Sequence, residues 1–68
     1  MVKIRMMDRT GDKVTNVPLN EALETIEENL DQGNLVYNED EKKLVTKATM
    51  GQITEESNVG ITPAIRGG

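Results

Sequence analysis

Only one segment of this chain carries the apolar spacing of an amphipathic helix. Ala22, Leu23, Ile26 and Leu30 recur at helical intervals and form a single stripe. The opposite face bears Glu21, Glu24, Glu27, Glu28 and Asp31, with no basic residue among them. The early acids suit the positive end of a helix dipole, whereas Asp31 at the far end does not. Asn20 is placed to cap the start, and Gly33 to end the helix in the left-handed conformation. A lone helix of about three turns has only a sheet to pack on. The stripe therefore requires an α+β fold in which one sheet face is covered and the other is left open.

The remaining segments supply the strands. Val2, Ile4 and Met6 alternate with Lys3, Arg5 and Met7, the two-residue period of a half-buried strand. Residues 8–12 are turn-forming, with Gly11 free to adopt a positive φ. A return strand is expected over 13–17. Val14 and Val17 fall on opposite faces of it, which suggests a bulge or an edge position. Pro18 stops that strand. Leu35-Val36-Tyr37 and Leu44-Val45-Thr46 are β-prone runs joined by the polar loop 38–43. Residues 50–58 read as irregular or as a short helical turn, with Ile53 tucked against the core. A last strand follows from Val59 to Ile65, its outer part losing a donor at Pro63. If this strand lies beside the first, the two run parallel through a long connection. The sheet is then mixed, with four to five strands.

Composition narrows the chemistry. The chain has 68 residues, no cysteine and no histidine. Disulfides, thiol catalysis and imidazole bases are therefore ruled out. With Tyr37 as its one aromatic residue, the core must be aliphatic, with Met6, Met7 and Met50 as filler. A net charge of −4 opposes binding to nucleic-acid phosphates, and one aromatic gives no base-stacking platform. No apolar run reaches membrane-spanning length. Met1-Val2-Lys3-Ile4 does not begin a signal peptide, so a cytoplasmic, monomeric protein is expected. Asn38-Glu39-Asp40-Glu41 lacks the glycine and spacing of a calcium loop, and no metal site is expected. Lys42, Lys43 and Lys47 read as exposed lysines, and the acidic helix face as a solvated one.

The chain closes as Ile61-Thr62-Pro63-Ala64-Ile65-Arg66-Gly67-Gly68. A terminal glycine pair stabilises nothing locally and loses the most entropy on ordering. Its use therefore lies outside the fold, as a slim carboxylate able to enter a narrow site. The element order together with this tail resembles the β-grasp, ubiquitin-like proteins. The tail is most similar to those of prokaryotic sulfur carriers and small modifiers, which run hydrophobic, small or polar, Pro, x, hydrophobic, x, Gly, Gly. The departure is at Glu55-Glu56-Ser57-Asn58, where the carriers place an acidic turn containing glycine.

The resemblance implies a single β-grasp domain over 1–66, with 67–68 as a flexible tail. It also implies that an E1-like enzyme uses ATP to adenylate the Gly68 carboxylate. A thiocarboxylate or a lysine isopeptide bond would follow, on a sulfur-acceptor enzyme or a lysine-bearing target. Gly67 would give slim access, and Pro63, Ile65 and Arg66 would dock the partner. The chain would be no enzyme and would bind no cofactor, ATP belonging to its activator. The other reading is a noncovalent β-grasp interaction module in which the tail plays no part. Ubiquitin relatives also use an apolar patch on the sheet face, which the sequence alone does not locate.

Overall fold

The computed structural model describes residues 1–8 and 11–63. The helix, α1, occupies Leu19–Asp31. The strands are β1 (Val2–Asp8), β2 (Gly11–Val17), β3 (Leu35–Asn38), β4 (Lys43–Leu44) and β5 (Asn58–Thr62), with a 3-10 turn at Met50–Gln52. They form one mixed sheet in the order β2-β1-β5-β3-β4, with β1 and β5 parallel and the other pairs antiparallel. The helix packs on one face. This is a β-grasp-like arrangement of five strands, and the expected parallel pairing of first and last strands holds.

The core forms where the helix stripe meets the inward side of the sheet. Ala22 and Ile26 bury fully against Val2, Ile4, Val36, Val59 and Ile61, closed at the ends by Val45 and Ile53. Leu23 and Leu30 flank the stripe, partly buried. Asn29 also faces inward, in a place where the helical period leads one to expect an aliphatic side chain. Its amide donates to the Thr25 carbonyl at 2.8 Å, and its oxygen accepts from Asn34 Nδ2 at 3.0 Å. A buried amide with both ends engaged avoids the desolvation cost of an unpaired one.

The helix ends divide between confirmation and correction. Gly33 takes φ 83° as expected. Its N–H reaches the Leu30 carbonyl and the Asn34 N–H reaches that of Asn29, the double closure of a Schellman motif. Asn20, by contrast, lies inside the first turn and caps nothing. Pro18 holds the N-cap position, with no side-chain hydrogen bond. Proline has no N–H to leave unsatisfied there. Its carbonyl accepts the Ala22 N–H at 2.9 Å.

Four strand expectations also change. β2 starts at Gly11 and pairs with β1 in unbroken register from Val2↔Val17 to Asp8↔Gly11, so there is no bulge. The edge position alone accounts for its two outward-differing valines, Val17 packing on the core and Val14 exposed. β4 is only two residues long. Val45 donates to the Val36 carbonyl and turns inward, and Thr46 enters a turn closed by its N–H to Thr49 Oγ1 at 2.9 Å. Met6 and Met7 are not core filler. Met6 is 40% exposed, and Met7 lies half-buried against the open side of the sheet. Finally, β5 ends at Thr62 with Pro63 outside it, and the expected continuation over 64–65 lies outside the described residues. Of the methionines named as filler, Met50 alone packs on the core. Ile53 is buried as expected.

Candidate functional site

β5 lies between β1 and β3, so the chain leaves the middle of the sheet. Pro63 follows Thr62 and is exposed. It borders a mainly apolar hollow of about 250 Å³, shared with Met6, Met7, Ile61, Asn29 and Asn34 among others. Of the residues assigned to the site from sequence, Pro63 is thereby placed. Ile65, Arg66, Gly67 and Gly68 lie outside the described residues.

The sheet face turned away from the helix was not legible in sequence, because it is assembled from all five strands. One cross-strand row runs Val14, Arg5, Gly60, Tyr37, Leu44. Leu35 and Met7 lie next to it, on the same face by alternation. Val14, Leu35 and Leu44 are the exposed aliphatics of this face. Gly60 forms its bare centre. A Cβ there would meet Met7 Cε at 3.3 Å and the Glu39 carboxyl at 3.5 Å, so both side chains drape over the glycine backbone. Glu39 in turn pairs with Arg5 across the strand between them. The Arg5 Nε is buried without a hydrogen-bond partner. A glycine inside a central strand marks a place where other groups come close to the backbone. Here the occupants are the protein's own side chains.

A second feature holds the β3–β4 loop to the start of β5. Asn38 Oδ1 accepts the N–H groups of Asp40 and Glu41, bending the chain back, with Lys42 at φ 57°. Asp40 then accepts from the Asn58 side chain and the Asn58 backbone N–H, each at 2.8 Å. The sequence identified 38–41 as an acidic loop but carried no signal for this clasp, whose other half is 18 residues away.

The Asn58 side chain, and then its backbone N–H, hold the Asp40 carboxyl below the ordinary value of 3.8. A depressed carboxyl adds stability above its unfolded pKa and loses it as pH falls through the folded one. The clasp is therefore intact at neutral pH and loosens only below about pH 3.8. In a carboxyl NMR titration Asp40 should titrate below the ordinary aspartate value of 3.8. Asn58→Ala should raise it toward that value, and an unmoved Asp40 would refute the clasp.

Asp31, unfavourable at the helix C-terminus on its own, pairs with Lys47. The hydrogen bond to Asp31, then its charge, raises the Lys47 pKa. The base that the last helical turn lacks thus comes from the β4–3-10 connection. Among the described residues no three metal-ligating side chains converge, and no helix is long and apolar enough to cross a membrane. The features assembled here are an open sheet face, a clasp and a central exit strand. No family model matches the chain, and no curated protein or solved structure matches it.

Proposed function

We propose that this chain is a ubiquitin-like carrier or modifier that acts through the carboxylate of Gly68. The observation that supports this reading is the position of β5. The strand is central, runs parallel to β1 and delivers an exposed Pro63 from the middle of the sheet, ahead of Ala64-Ile65-Arg66-Gly67-Gly68. A segment leaving a central strand is held at its base by neighbours on both sides. A partner can then pull on it without unzipping an edge.

The chemistry belongs to the partner. A carboxylate becomes an acyl donor only when its oxygen is given a good leaving group. An E1-like enzyme supplies this by letting the Gly68 carboxylate attack the α-phosphorus of ATP, with release of pyrophosphate. The acyl-adenylate then loses AMP to a sulfur nucleophile or to a lysine amine. Glycine at 67 and 68 keeps side chains away from that centre, and Ile65, Arg66 and Pro63 are the docking contacts.

The test uses the chain ending at Gly68, ATP, the E1-like enzyme of the same genome, and either a sulfide donor or a lysine-bearing acceptor protein. Intact mass should show exchange of one oxygen for sulfur, or a conjugate through lysine. Variants lacking Gly68, or carrying an alanine after it, should lose the product completely while keeping their circular dichroism. An unchanged mass with the active enzyme would overturn the proposal.

The open sheet face supports a second reading, a noncovalent interaction module. Its binding would survive removal of Gly68, which separates the two.

A further inference from the structure

The two edges of the sheet are treated very differently. β4 is two residues long, and brevity protects it from pairing with other chains. β2 is seven residues long, in unbroken register with β1, and exposed from Gly11 to Asn16. It contains no proline and no bulge, and Lys13 is the one edge lysine. Every second residue of such a strand turns its N–H and C=O outward. Asp12 and Lys13 are the only charges on this strand, and no proline, bulge or shortening blocks it.

We infer that β2 pairs with β2 of a second copy, antiparallel, about a two-fold axis through Val14. The strand is self-complementary. A two-fold normal to the sheet keeps each side chain on its own face and places one residue opposite itself. With Val14 on the axis, all seven residues overlap, Gly11 facing Val17, Asp12 facing Asn16 and Lys13 facing Thr15 of the other copy. No like charges stand directly opposite. An axis through Lys13 would set two lysines against each other. An axis through Thr15 would shorten the ladder and bring Pro18 opposite Asp12.

Val14 is 48% exposed and ends the cross-strand row of the open face. Pairing would set two such valines together, the kind of cross-strand contact that stabilises a sheet. The chain's acids are concentrated on α1 and in the β3–β4 loop, so its net negative charge is not focused on this edge. The expectation of a monomer is replaced by a concentration-dependent dimer. Because β5 lies two strands inside the edge, Pro63 stays exposed in either state.

The absence of cysteine makes the test direct, since any introduced thiol is the sole one. Under mild oxidation Val14→Cys should form a disulfide dimer. Asp12→Cys and Asn16→Cys should each fail alone and cross-link when mixed. Sedimentation should show a dimer at high concentration. Asn16→Lys, facing Asp12, should tighten it about threefold or more, and Asn16→Asp should weaken it to a similar degree. A monomer up to millimolar concentration overturns the inference. So does cross-linking with no maximum at Val14, or equal effects of the two Asn16 variants.

Discussion

Ile26→Ala should cost about 2–5 kcal/mol of unfolding free energy, measured by urea denaturation. Ile26 is 0% exposed and stands at the middle of the helix stripe, one turn from Ala22 and from Leu30. Its neighbours Val2, Val36, Val59 and Ile61 are fixed in the ladders of three adjacent strands. They cannot collapse into the space without breaking backbone pairing. The core contains no aromatic ring whose rotation could fill the gap. A domain of this size commands about 3–10 kcal/mol in total, so the loss removes a large share of it. A loss below about 1 kcal/mol would mean that the helix is not the principal cover of the sheet.

The second large effect is a buried charge. Val59 is 0% exposed on β5, opposite Ile4 on one side and Asn38 on the other. Val59→Asp would place a carboxyl where burial strongly favours the neutral form, raising its folded pKa above the unfolded value of about 3.9. The sign is therefore opposite to that of Asp40. The penalty is complete above the raised folded pKa and is relieved as pH falls through it. At neutral pH the cost should be about 4 kcal/mol or more. The variant should be unfolded at neutrality and recover sheet signal near pH 4.5, within the window between its two pKa values. Val59→Thr, with the same shape and no charge, should remain folded at both pH values. Recovery of Val59→Asp at alkaline rather than acidic pH would refute the buried position.

The legible parts of this chain were those whose signal is local. The stripe at Ala22, Leu23, Ile26 and Leu30 reports its own geometry, and Gly33 reports a left-handed residue that few others tolerate. The alternation of Val2 and Ile4 identified β1 and its buried face. The overall order followed, because one helix and several strands leave few ways to bury a single stripe. The errors arose where a neighbouring residue or the position in the sheet overrides a residue's own preference. Asn20 has the chemistry of a cap, but Pro18 already supplies the carbonyl that begins the helix. Leu44-Val45-Thr46 has strand propensity throughout, yet Thr49 claims the Thr46 N–H and ends the strand early. Met6 alternates correctly with Ile4, but β1 carries it to an end of the sheet where the core is open to solvent.

The open sheet face was illegible because its residues come from separate strands. Val14, Arg5, Gly60, Tyr37 and Leu44 are scattered along the sequence and meet only through four strand registers. Gly60 illustrates this best. In sequence it is an ordinary small residue between Val59 and Ile61. In the sheet it is the floor on which Met7 and Glu39 rest. The diglycine tail was the reverse case, conspicuous in sequence and beyond the described residues.

The pairing of β1 with β5 also governs when the molecule can come into being. Positions 3 and 58 must meet before either half of the sheet has its inner neighbour. During synthesis the amino-terminal hairpin and the helix emerge first, with one flank of β1 still vacant. A two-stranded hairpin of this kind is marginal by itself. The cooperative fold must therefore wait for residues 58–62, and a product interrupted before them would remain open to proteolysis. The arrangement makes folding wait on β5, which closes the inner flank of β1.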